Sequence, residues 1–314
     1  MKELRSRQLT IGLLIMLAIS VVAFVIGSFA DYDIAHSIAL RYGYTENNLV
    51  PAPFFSVLMT TAIIPTCFFA GIVGSILATT TRKTKFWTWF WRIFGVGGAG
   101  LAVYSSFKSA LEAEEIYVAS APHRTLWFVI ILLVCLLLAG LGVYIGLCKL
   151  KDTDPKKKFW VAVSMFILVF FYFCSGEFVK YLVSRPRPRT IFSHEGVEEF
   201  RNWWEFRPLY ALTIENASSC KSFVSGHAAH TGTYMLMVPL GLSLTKLGKK
   251  KYTALVGFII GAVWCVVVSI SRMFAQAHFL TDVSGGVMMI TVGMILFYWI
   301  MPWVEETIDK KKAD

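Results

Sequence analysis

Apolar residues in this chain come in long blocks, not in alternation. Runs of eighteen or more recur along the whole length. Each is long enough to cross a bilayer as a helix. No stretch shows the period of two that a transmembrane barrel strand would need. The pattern predicts an all-α fold, a polytopic helical membrane protein of about eight transmembrane helices. The spans fall at approximately 9–29, 54–79, 87–107, 126–147, 159–181, 224–245, 253–272 and 282–301. The third is the least apolar, with Arg92 near its start and many glycines. Ser28-Phe29-Ala30 resembles a signal-peptide cleavage site. The run before it is long for a signal core and further spans follow, so an uncleaved first helix is expected.

Charge turns this pattern into a topology. Of the 314 residues only 16% are charged, and the formal net charge is +10. In a soluble protein that excess would point to nucleic acid; here it sits in short loops, and no nucleic-acid partner is expected. One set of loops carries Lys2, Arg5 and Arg7, then Arg82, Lys83, Lys85 and Arg92, then Lys149, Lys151 and Lys156 to Lys158, then Lys246 and Lys249 to Lys251, and finally Lys310 to Lys312. The alternate set begins with Arg41, Lys108 and Arg124. Positive loops stay inside, so both termini are expected in the cytoplasm, with the plasma (inner) membrane of a bacterium as the expected location.

One loop breaks the rule. Residues 182–223 should lie outside, yet they hold Arg185, Arg187, Arg189, Arg201, Arg207 and Lys221. A cationic cluster on that side calls for an anion to bind.

Two apparent motifs carry no chemistry. Gly95 to Gly100 matches GxGxxG but sits inside an expected span, where small residues serve close helix packing. The six cysteines show no CxxC or metal spacing and read as packing thiols.

Three motifs remain, each at the outer end of a helix. Lys180-x6-Arg187-Pro188 follows the fifth span, and Pro186 and Pro188 stop the helix and extend the chain. Two cations can thus be aimed at one point from a helix end and a loop. Ser225-Gly226-His227 opens the sixth span. Free N–H groups there favour an anion, Ser225 can cap the helix, and Gly226 lets a ligand approach the backbone. Ser271-Arg272-x5-His278-x3-Asp282 links the seventh and eighth spans. His278 and Asp282 are four residues apart and would share a face if that stretch is helical. A carboxylate bonded to one imidazole nitrogen would leave the other free as nucleophile or base, and Arg272 offers a fork suited to phosphate oxygens. Together these supply what phosphoryl transfer needs: charge neutralisation, positioning, a nucleophile and a leaving-group acid. No carboxylate cluster points to a divalent metal, so the cations must do that work.

In this order, KX6RP, SGH and SRX5HX3D resemble the type 2 phosphatidic acid phosphatase superfamily, which includes membrane lipid phosphate phosphatases and the vanadium haloperoxidases. The resemblance covers roughly Phe159 to Pro302. It implies that His278 is the nucleophile and forms a phosphohistidine, and that Asp282 orients it. It makes His227 the general acid and then base, with Lys180, Arg187, Arg272, Ser225 and Gly226 binding the phosphate. It implies a helical core with no metal and no cofactor. Two departures stand out. Val224 replaces the usual Pro before Ser-Gly-His, and the usual membrane members have six spans. The expected organisation is therefore N-terminal helices over 1–158, including an extra pair, a catalytic core over 159–302 and a cytoplasmic tail over 303–314.

Other residues have lesser expected roles. Arg185 and Arg189 read as second-tier cations that contact headgroups, so Arg187→Ala should damage activity far more than Arg185→Ala. His230 reads as a packing residue behind the site, and Glu177 as the pair of Lys180. Trp203, Trp204, Phe206 and Tyr210 suit either an interfacial belt or a lid. Asn216-Ala217-Ser218 matches a glycosylation sequon. The expected partner is a phosphorylated lipid such as undecaprenyl pyrophosphate, phosphatidic acid, phosphatidylglycerophosphate or lipid A phosphate. Rival readings are a lipid phosphotransferase using the same site and a lipid or anion transporter.

Overall fold

The first apolar run folds as a helix that outlasts it. Helix α1 covers Arg7–Tyr42, about 54 Å at 1.5 Å per residue. It therefore carries Asp31, Asp33 and His36 beyond the lipid-compatible stretch in the same rod. The computed structural model describes residues 7–42, 62–81, 83–118, 124–192, 199–207 and 219–310. Tyr210, the sequon at Asn216 and the second span before residue 62 lie outside the described residues.

The following helices are α2 (Pro65–Ala78), α3 (Lys85–Val118) and α4 (Arg124–Tyr144), the last continued by a π turn over Ile145–Lys149. Then come α5 (Pro155–Val183), the short α6 (Pro188–Phe192), α7 (Gly226–Gly232), α8 (Tyr234–Ser243), α9 (Thr253–Phe274) and α10 (Leu280–Lys310). The described residues are all helix, turn or loop, with no strand. Among them, five helices are long and apolar enough to cross a membrane: α1, α4, α5, α9 and α10. The expected sixth span is divided at Thr233 into α7 and α8.

Local chemistry fixes the ends that matter. Asp154 caps α5 by accepting from Lys156 N and Lys157 N, with Pro155 in the first turn. Its far end closes at Ser184, a non-glycine residue held at φ 41°, with Ser184 N donating to Lys180 O at 3.0 Å. Left-handed backbone at a β-substituted residue is unfavourable by itself. Here it turns the chain sharply at the point where the Arg-Pro pairs begin.

The bundle separates into two layers of use. Helix α1 packs along α10 and α9, α7 and α8 pack on α9, and α7 also meets α10 and α5. Helix α2 joins this group through α5 and through Phe69, whose ring lies 5.7 Å from that of Tyr234. Helices α3 and α4 instead cover α2. Gly71 and Gly142 permit the α2–α4 contact, since a Cβ at Gly71 would stand 2.1 Å from Ala139 O. Gly95 of the GxGxxG stretch lies against Leu77 and Gly98 against Phe166, as the packing reading expects. Helices α1 and α2 therefore pack with the motif-bearing helices, while α3 and α4 lie mainly against α2.

Candidate active site

Backbone bonds bring the three motifs together. Arg187 N donates to Ser219 O and Ser222 N to Arg185 O, both at 3.0 Å. The Arg-Pro segment thus runs beside the approach to Ser-Gly-His. Ser225 N donates to Asp282 O at 2.9 Å, which joins the second motif to the third. Gly286 makes room for that contact, because a Cβ there would sit 2.7 Å from Ser225 O. Ser225 caps α7 by accepting from Ala228 N. Lys180 reaches in from α5, and its Nζ would lie 3.0 Å from a Cβ at Gly226. Only a glycine leaves that space empty.

His278 is buried at 3% exposure in the turn between α9 and α10. It lies outside the helix, so the expected helical pairing with Asp282 does not form. Its Nδ1 instead donates to Ser222 O at 2.8 Å, while Asp282 Oδ2 is 3.9 Å away. A carbonyl only accepts, so Nδ1 carries the proton and the Nε2 lone pair of the neutral ring is available. Asp282 acts one step back. Its Oδ2 accepts from Ser222 Oγ at 2.5 Å and from Phe279 N at 2.8 Å. Burial first, then the charges of Arg272 and Arg187, hold His278 well below the usual imidazole pKa. His227 and Lys180 act in the same direction, so all five groups share one neighbourhood.

His227 faces the same space from the first turn of α7. Its Nε2 is buried with no hydrogen-bond partner among the described residues. Lys180 is held 2.7 Å from Glu177 Oε1, the expected pair. His230 lies one turn deeper and is spent on structure. Its Nε2 meets Thr66 Oγ1 at 2.5 Å, that hydroxyl also meets Tyr234 Oη at 2.6 Å, and Tyr172 stacks edge-on against the ring. Trp203 packs between Phe24 and Phe223 and donates to Ser28 Oγ, while Trp204 and Phe206 remain exposed.

Arg185 departs most from expectation. It is no headgroup contact: its side chain is 1% exposed. Its Nη1 donates to Asp282 Oδ1 at 2.9 Å and to Thr281 Oγ1 at 2.8 Å, its Nη2 to Asp31 Oδ2 at 3.0 Å, and its Nε to Arg201 O at 2.6 Å. Phe279 covers the guanidinium at 4.1 Å. Spacing from Lys180 selected Arg187 and carried no information about what Arg185 would meet. Asp31 was missed as well. Its signal was an acid placed just past an apolar run, a residue normally paired or functional.

Residues 157–306 match the family model of the PAP2 superfamily. This segment is a member of the PAP2 superfamily. No curated protein and no solved structure matched the chain. Membership supports phosphatase activity, a phosphoester hydrolase in general, in an apolar, helical membrane protein. The PAP2 segment holds Lys180, Arg187, Ser225, Gly226, His227, Arg272, His278 and Asp282. Asp31, bonded to Arg185, lies before it.

Proposed function

We propose that the protein hydrolyses a lipid phosphate or lipid pyrophosphate at the non-cytoplasmic membrane face through a phosphohistidine on His278. The observation that carries this reading is the pairing of two imidazoles with distinct environments. His278 donates from Nδ1 to a backbone carbonyl, and His227 has a buried Nε2 with no hydrogen-bond partner among the described residues, beside Arg272, Arg187 and Lys180.

The substrate phosphate sits among Lys180, Arg187 and Arg272, which neutralise its oxygens. Its negative charge offsets theirs and favours the protonated form of His227. His278 Nε2 attacks phosphorus; the P–N bond forms as the bond to the lipid oxygen breaks, and that oxygen takes the proton of His227. His227, now neutral, accepts a proton from water. The hydroxide attacks phosphorus, the P–N bond breaks, and phosphate leaves with His278 restored. A site at the ends of membrane helices favours an amphiphile over a soluble ester. The positive loops favour cytoplasmic termini and a site on the opposite face.

Phosphate release from a panel of lipid phosphates by purified wild type and His278→Ala tests this. Release by wild type alone, with label trapped on His278 at alkaline pH, is the expected result. No release from any substrate would sink the hydrolase reading. Label recovered on an acceptor lipid in place of phosphate would make the enzyme a transferase.

A further inference from the structure

Asp282 cannot orient His278 by itself, because its nearer oxygen is 3.9 Å from the ring. What lies behind Asp282 completes the device. Asp31 Oδ1 accepts from Thr281 N at 3.0 Å, Asp31 Oδ2 accepts from the Thr281 hydroxyl, and the same Oδ2 accepts from Arg185 Nη2. Arg185 passes the restraint to Asp282 Oδ1, Asp282 Oδ2 holds the Ser222 hydroxyl, and the Ser222 carbonyl accepts from His278 Nδ1. Asp31 and Asp282 are 4% and 0% exposed, so nothing in solvent can replace a missing link.

The backbone is built to let α1 reach this point. One turn before Asp31, a Cβ at Gly27 would stand 2.9 Å from Thr281 N. Close approach at Gly27 brings Asp31 onto the first turn of α10. Further along α1, Ala35 O accepts from Gln276 Nε2 at 3.1 Å. Two carboxyl groups bracket one guanidinium behind His278.

Resting on the hydrolase reading above, we propose that Asp31 is a positioning residue, which fixes Arg185 so that Asp282 and Ser222 hold the His278 ring in line. The catalytic segment is then incomplete without a carboxylate from α1. The test uses the full chain in detergent, with active sites counted by phosphoenzyme trapped at alkaline pH. Asp31→Asn keeps the shape and replaces one of the two acceptor oxygens by a donor. It should lower kcat per active site about 10- to 100-fold, the range for groups that orient a reactive histidine from behind, with KM held within about threefold. Asp31→Glu should recover part of the loss. A merely structural role would reduce the number of sites at unchanged kcat, and that result overturns the proposal. If Asp31→Asn does not fold, Asp31→Glu decides alone: lowered kcat per site supports positioning, and wild-type kcat refutes it. A second readout needs no turnover. The His278 Nδ1 proton, resolved in histidine-labelled protein, should shift in the Asp31 variants, and an unmoved resonance overturns the proposal. Inactive wild type would remove the hydrolase reading while leaving this resonance to judge Asp31.

Discussion

Two arginines two residues apart in the chain live in opposite environments. Arg185 lies sealed between two carboxylates and the Phe279 ring, every bond made within the protein. Arg187 is partly exposed and acts on His278 from the cationic mouth. The mouth is arranged for a charge that arrives; the network behind it is already saturated. The cation proposed to bind phosphate and the cation that holds the framework come from adjacent Arg-Pro pairs.

The sharpest way to break that contrast is stability. Arg185→Ala leaves two buried carboxylates facing each other, and removal of one member of a buried ion network typically destabilises by about 3–5 kcal/mol. Arg187→Ala, at a residue less deeply buried than Arg185, should cost less. Thermal and chaotrope unfolding of both variants in one detergent should separate them. Similar losses would mean that Arg187 is a framework residue too.

The expectation drawn from spacing concerned activity, with Arg187→Ala the more damaging change, and spacing carried no information on the burial of Arg185. The KX6RP, SGH and SRX5HX3D spacings are covalent facts, set by helix ends and turns, so the residues at the mouth were legible in order. The all-helical fold was legible for the same reason, since long apolar runs admit little else. The links behind the mouth join residues 31, 185 and 282 through tertiary contact only. Nothing in local periodicity reports such a triad. The apolar pattern also set the first span's end at 29, whereas the helix continues to Tyr42 because intrahelical bonding does not stop where lipid does. For His278, the shared helical face expected with Asp282 failed because the chain turns at Ala275 and Gln276, the latter at φ 51°.

Activity sharpens the comparison from the other side. Arg187→Ala removes one preorganised cation from the phosphate, which should lower kcat by about 10²- to 10³-fold. The protein should remain folded and able to retain His278 bonded to Ser222. Initial rates on the best lipid phosphate, with melting measured on the same samples, check this. Full activity would move the binding role to another cation, with Lys221 the first candidate because it lies within electrostatic reach of Lys180.

The third measurement is pH. His278 must be neutral to attack, and its pKa lies below the usual value of 6.5. A depressed imidazole pKa keeps the neutral form as pH falls through 6.5, and the nucleophile is lost only at lower pH. In histidine-labelled, ligand-free protein the His278 signals should therefore show no midpoint near 6.5. In Arg187→Ala one of the depressing charges is gone, so the midpoint should rise while remaining below 6.5, because burial is the larger cause. A normal midpoint in wild type would mean that the ring is open to water, and the sealed region behind it would lose its meaning.

The smallest effect concerns Glu177. Its carboxylate holds Lys180 at 2.7 Å and is half exposed, at 49% against 15% for the lysine. A pair so open to solvent contributes at most about 1 kcal/mol. Phosphate arriving at the mouth competes with Glu177 for the same ammonium. Glu177→Gln keeps the shape and removes the competitor, so inorganic phosphate should inhibit about two- to fivefold more strongly, with kcat unchanged. That is the behaviour of a region kept provisional until substrate enters. Weaker inhibition would mean that Glu177 holds Lys180 in its working position, as Asp31 is proposed to hold Arg185. The mouth and the network would then follow one design, and the difference between the two arginines would reduce to burial alone.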